Sequence, residues 1–92
     1  MSTKELYKQK LQAQLDEWNA EIAKLKAKAA GESADVQIAL HKQLDSLESH
    51  LADARTKLAD LAASGDDAWE SLKASVESAW DSVKAAFAKL KS

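Results

Sequence analysis

Only two glycines, Gly31 and Gly65, and no proline punctuate this chain of 92 residues. A β-rich fold needs frequent tight turns, and those turns draw heavily on glycine and proline. So sparse a supply leaves room for two breaks and three long elements. The residues between the breaks settle what those elements are. Alanine, leucine, lysine, glutamate and glutamine dominate, and these lose least on entering a helix. Charged residues make up 30% of the chain, a composition that points to long helices or a coiled coil. The expected fold class is all-α.

In the first segment, about 3–30, Leu11, Leu15, Trp18, Ile22, Leu25 and Ala29 recur at alternating intervals of four and three. That spacing is a heptad seam, with Leu15, Ile22 and Ala29 at a and Leu11, Trp18 and Leu25 at d. Carried backwards, the seam meets Lys8 and Lys4, so the first turns are expected to pack poorly. Gly31 stands where a left-handed helix C-cap is expected, and Ser33 offers an N-cap oxygen to the next helix. The second helix, about 34–63, carries an unbroken seam of Leu40, Leu44, Leu47, Leu51, Ala54, Leu58 and Leu61. Two helices of nearly equal length with a short connection predict an antiparallel helical hairpin, or short coiled coil.

Charge favours that pairing. Residues 1–30 hold six lysines against four acids, whereas residues 31–65 hold three basic residues against six acids. Each exposed ion pair contributes only about 0.2–1 kcal/mol. The leucine seams are expected to carry the stability, at roughly 1.5–3 kcal/mol per buried side chain before entropy is subtracted.

Ser64-Gly65-Asp66 forms the second break, as a hinge or a stop. A third helix is expected over 66–91, with Asp66, Asp67 and Glu70 at its positive end and Lys89 and Lys91 at its negative end. It contains an eleven-residue repeat: AWESLKASVES over 68–78 and AWDSVKAAFAK over 79–89. Eleven residues fit three helical turns at about 3.67 per turn, so this helix is expected to run nearly straight. On a wheel of about 100° per residue, one apolar arc collects Trp69, Leu72, Val76, Ala79, Trp80, Val83, Phe87 and Leu90. Trp69, Trp80 and Phe87 lie along one edge of it, beside a row of Lys73, Lys84 and Lys91. The opposite face holds the small residues Ser71, Ala74, Ser78, Ala85 and Ala88. A lone two-helix hairpin leaves its leucines half wet, so helix three or a second copy must cover them. The expected architecture is one helical domain, a hairpin plus a C-terminal amphipathic helix, as a three-helix bundle or an oligomeric assembly.

Leucine heptads followed by AWESLKASVESAWDSVKAAF resemble those of small bacterial coiled-coil proteins, a likeness that spans nearly the whole chain and implies no particular activity. Over Ala68–Lys89, the eleven-residue repeat is similar in kind to apolipoprotein-like helices and phasin-like granule coat proteins, although it lacks the proline punctuation of apolipoproteins. That second resemblance implies a lipid or granule surface as a partner.

The sequence supports two functional readings. The leading one is a non-enzymatic interaction or scaffold protein that presents helix surfaces to copies of itself or to another helical protein. The alternative is a peripheral membrane- or granule-surface binder that uses Trp69, Trp80, Phe87 and the lysine row. The acids Asp66, Asp67, Glu70, Glu77 and Asp81 weaken any attraction to anionic lipid. No catalytic residues, cofactor or metal site are expected. Cysteine is absent, and His41 and His50 lie on opposite sides of one helix. Neither histidine has a glutamate three residues before it, since Ile38 and Leu47 stand there. Each has a helical neighbour in Asp45 or Asp53, which favours a surface ion pair. Trp18 could line a ligand cavity, but a seam position makes it core. Lys24, Lys26 and Lys28 suit a helix C-terminus, and a net charge of -2 gives no broad basic field for nucleic acid. With no signal-peptide pattern at Met1–Glu5 and no long apolar run, the expected location is the cytoplasm or a membrane periphery.

Overall fold

The computed structural model describes residues 3–91, the side chains of Asp66 and Lys91 excepted. Its elements are α1 (Thr3–Ala29), α2 (Ala34–Ala63), a 3-10 turn (Asp66–Ala68) and α3 (Trp69–Lys91). No strand occurs among the described residues. The fold is all-α. Two compact units divide the chain within α2, Met1–Ser46 and Leu47–Ser92. Each contains one connection between helices.

In the first unit the connection follows α1 directly, one residue earlier than expected. Gly31 and Glu32 donate their N–H groups to the carbonyls of Lys28 and Ala29, at 3.2 and 3.0 Å. These i→i−3 bonds tighten the last turn and satisfy carbonyls that a helix end leaves open. The Gln37 side chain then reaches back from α2. Its Nε2 donates to the carbonyl of Glu32 at 2.8 Å and to that of Ala30 at 3.2 Å. Ser33 takes the N-cap position, and its carbonyl accepts the Gln37 N–H at 2.8 Å.

The left-handed C-cap expected at Gly31 is not formed, for no glycine among the described residues has a positive φ. With the carbonyls already taken by 3-10 bonds and by Gln37, the turn closes without a left-handed residue. A Cβ at position 31 would meet only the Lys28 carbonyl oxygen, at an ordinary 3.7 Å. Gly31→Ala is therefore expected to raise stability by about 0.4–1 kcal/mol, by restricting the unfolded chain. Thermal melting followed by circular dichroism should move up by a few degrees. A lower melting temperature would contradict this turn geometry.

Leu11, Leu15, Ile22 and Ala29 of α1 and Leu44 of α2 are buried, while Trp18, Leu25 and Leu40 are half-buried. The a row of the α1 heptad is thus enclosed, and its d row lies on the flank beyond Leu11. Leu6 is 53% exposed, in keeping with the weak packing expected of the first turns, yet the helix is formed from Thr3 onward.

The second unit is more evenly filled. Leu47, Leu51, Ala54, Leu58 and Leu61 are all buried, which is the α2 seam without a gap. The helix ends at Ala63, where the Ser64 hydroxyl and N–H both donate to the Leu61 carbonyl, at 2.7 and 3.2 Å. The break at Gly65 is a stop. Its carbonyl accepts the Ala68 N–H at 3.2 Å, and the chain makes one 3-10 turn before α3 begins at Trp69. Position 66 was the expected start; the first N–H groups of a helix lack intrahelical partners and commonly settle into such a tighter turn. Val76, Ala79, Trp80, Val83 and Phe87 complete the unit's buried set. No polar or charged residue is buried among the described residues.

Candidate interaction surface

The apolar arc of α3 is the sharpest candidate in the sequence, and the structure splits it. Val76, Trp80, Val83 and Phe87 are buried, with Trp80 at 3% and Phe87 at 7% exposure. Trp69, Leu72 and Leu90 are half-buried. In the lysine row, Lys73 is half-buried and Lys84 exposed, whereas the Lys91 side chain lies outside the described residues. In this fold the chain itself covers Val76, Trp80, Val83 and Phe87. The physical reason is the size of the arc. Its buried part, Val76 to Phe87, is an apolar stripe about three helical turns long, and such a stripe gains more from burial within the chain than from water.

At its first two large apolar places the split follows the repeat, while at the third, Val76 and Phe87, both copies are buried. Trp69 and Leu72 of the first copy correspond to Trp80 and Val83 of the second. Residues of the same kind, with the same spacing and the same following lysine, are half open in one copy and enclosed in the other. The half-open pair comes first after the Gly65 stop, at the end of α3. The small-residue face behind it, Ser71, Ala74, Ser78, Ala85 and Ala88, is exposed throughout. The Ser82 hydroxyl on this face donates to the Ser78 carbonyl at 3.2 Å.

Of the coiled-coil seam residues, Leu11, Leu15, Ile22, Leu44, Leu47, Leu51, Leu58 and Leu61 are enclosed, and Trp18, Leu25 and Leu40 are not fully so. His41 and His50 are both exposed. Among the described residues no group of three or more histidine, cysteine, aspartate or glutamate side chains could hold a metal ion. Nor is any helix among them long and apolar enough to cross a membrane.

No family model, curated protein or solved structure matches this chain. Half-open aromatic and aliphatic side chains, beside exposed charge and small polar residues, can bury more apolar area against another surface.

Two features of this region had little or no signal in the sequence. The asymmetry between Trp69 and Trp80 is invisible in a repeat whose two copies are so alike. The reach of Gln37 across the connection had only the weak signal of a long amide side chain in the first turn of a helix.

Proposed function

We propose that this chain is a non-enzymatic interaction protein that docks on other helical protein through the half-open margins of its helices. The observation that supports the reading best is the contrast within the α3 repeat. The buried copy shows what an aromatic edge of this pattern does when it has a full complement of neighbours. The other copy offers the same edge, at Trp69 and Leu72, half open to solvent. A lipid or granule surface would need Trp80, Val83 and Phe87 as well, and these are engaged in the chain's own core. Adsorption through α3 would thus cost the second unit most of its buried side chains.

The reading is tested by Trp69→Ser. A half-exposed ring should cost under about 2 kcal/mol when removed, well below the 3–5 kcal/mol typical of an enclosed one. Helicity should persist, and tryptophan emission of the parent should not move when phosphatidylcholine vesicles are added. Melting lowered as far as by a core deletion would make Trp69 part of the core. A blue shift with vesicles would replace protein docking by lipid adsorption. Either result overturns the proposal.

A further inference from the structure

A second half-open margin lies on α1, and its charges are arranged to suit itself. Trp18 and Leu25 stand seven residues apart on one flank of the helix, both half-buried. Along the neighbouring outer face run Glu17 and Glu21, then Lys24 and Lys28; Glu21 is half-buried and the other three are exposed. Acid leads and base follows. That order matters because a two-fold axis reverses it.

Taking the interaction reading above as its basis, we infer that a second copy of this chain docks on this margin, α1 against α1, antiparallel about a two-fold axis near Glu21 and Ile22. In that register Trp18 of each copy stands opposite Leu25 of the other. Glu17 of each comes beside Lys24 of the other, so this attraction occurs twice, against a single approach of Glu21 to its own copy at the axis, where Lys24 of each chain lies within a turn to offset it. An isologous contact requires such self-complementarity, because the same patch serves on both sides. A parallel pairing in register would set glutamate beside glutamate and lysine beside lysine. The charges therefore select the antiparallel arrangement, as complementary potentials do at interfaces generally. One helix flank is smaller than the roughly 800 Å² per partner of a standard interface. The dimer is accordingly weak, with dissociation in the micromolar range, and salt loosens it by screening its exposed pairs.

Sedimentation equilibrium on four samples of the full chain tests this: the parent, Glu17→Lys with Glu21→Lys, Lys24→Glu with Lys28→Glu, and an equimolar mixture of the two variants. The parent should dimerise reversibly, and less so at high salt. Each variant alone sets like charges against each other across the axis and should dissociate at least tenfold more readily. The mixture should restore dimers, since each copy then meets the opposite charge twice, and restoration also shows that both variants are folded. Leu25→Ser, which leaves the charge alone, should weaken the parent dimer by a similar factor. A parent that stays monomeric at every concentration overturns the inference, as does a dimer indifferent to both charge variants or a mixture no better than its components. Those failures concern α1 alone. The wider reading falls separately, on the response of Trp69→Ser and of the vesicles.

Discussion

Replacing Leu47 by aspartate should abolish cooperative unfolding, or lower stability by several kcal/mol. Leu47 is 0% exposed and opens the run of buried residues in the second unit. Two losses coincide there. The leucine side chain contributes roughly 2–5 kcal/mol when a core residue of its size is deleted. The carboxylate must then be buried without a partner, or the site must open to water, and either adds a cost of the same order. No polar or charged residue is buried among the described ones, so the core offers the new charge no cation to pair with. A chain of this length has about 5–14 kcal/mol of stability in total. Melting by circular dichroism should therefore lose its sigmoid or shift far down, whereas Leu6→Asp, at a position 53% exposed in the parent, should leave it nearly in place. A Leu47→Asp chain that melts within a few degrees of the parent would disprove the enclosure of this residue.

The difference between Leu47 and Leu6 was legible from spacing alone. Every leucine of the α2 seam from Leu44 to Leu61 is buried, because an unbroken four-three alternation keeps one face inward over five turns. The helix bounds followed from Gly31, Gly65 and Ser33 to within a few residues. What spacing does not fix is how completely each row is covered. Leu25 and Ile22 carry equal hydrophobic signals in sequence, yet one is half-buried and the other buried. The two stand at d and a of one heptad, and the spacing alone does not say which row is covered more fully. Turn chemistry failed for a related reason. Gly31 read as a left-handed cap because glycine commonly takes that role. Its carbonyl neighbours had other partners, one of them a side chain six residues downstream. The candidate surface was legible as a face and illegible as a surface: the arc of α3 was found, but which half of it meets solvent was not.

That half-and-half division makes the eleven-residue repeat its own control, and Trp80→Ser is the decisive substitution. Trp80 is 3% exposed, and it stands eleven residues, three helical turns, beyond Trp69 with the same lysine four residues later. Removing its ring should cost roughly 3–5 kcal/mol through lost transfer energy and the cavity left behind. For a domain of this size each kcal/mol moves the midpoint by about 4–8 °C, so the melting temperature should fall by at least about 12 °C. The Trp69→Ser chain should lose less than half as much. Because the two substitutions remove the same side chain and leave the charge unchanged, their difference reports burial, apart from a few tenths of a kcal/mol of helix propensity that serine costs within α3 and not at its first residue. Chemical denaturation gives an independent check, since the lower stability of Trp80→Ser should appear as an earlier midpoint with an unchanged slope. Equal effects of the two substitutions would show that α3 is covered evenly along its length. Trp69 would then be a core residue, and the helix margin proposed for partner docking would not exist.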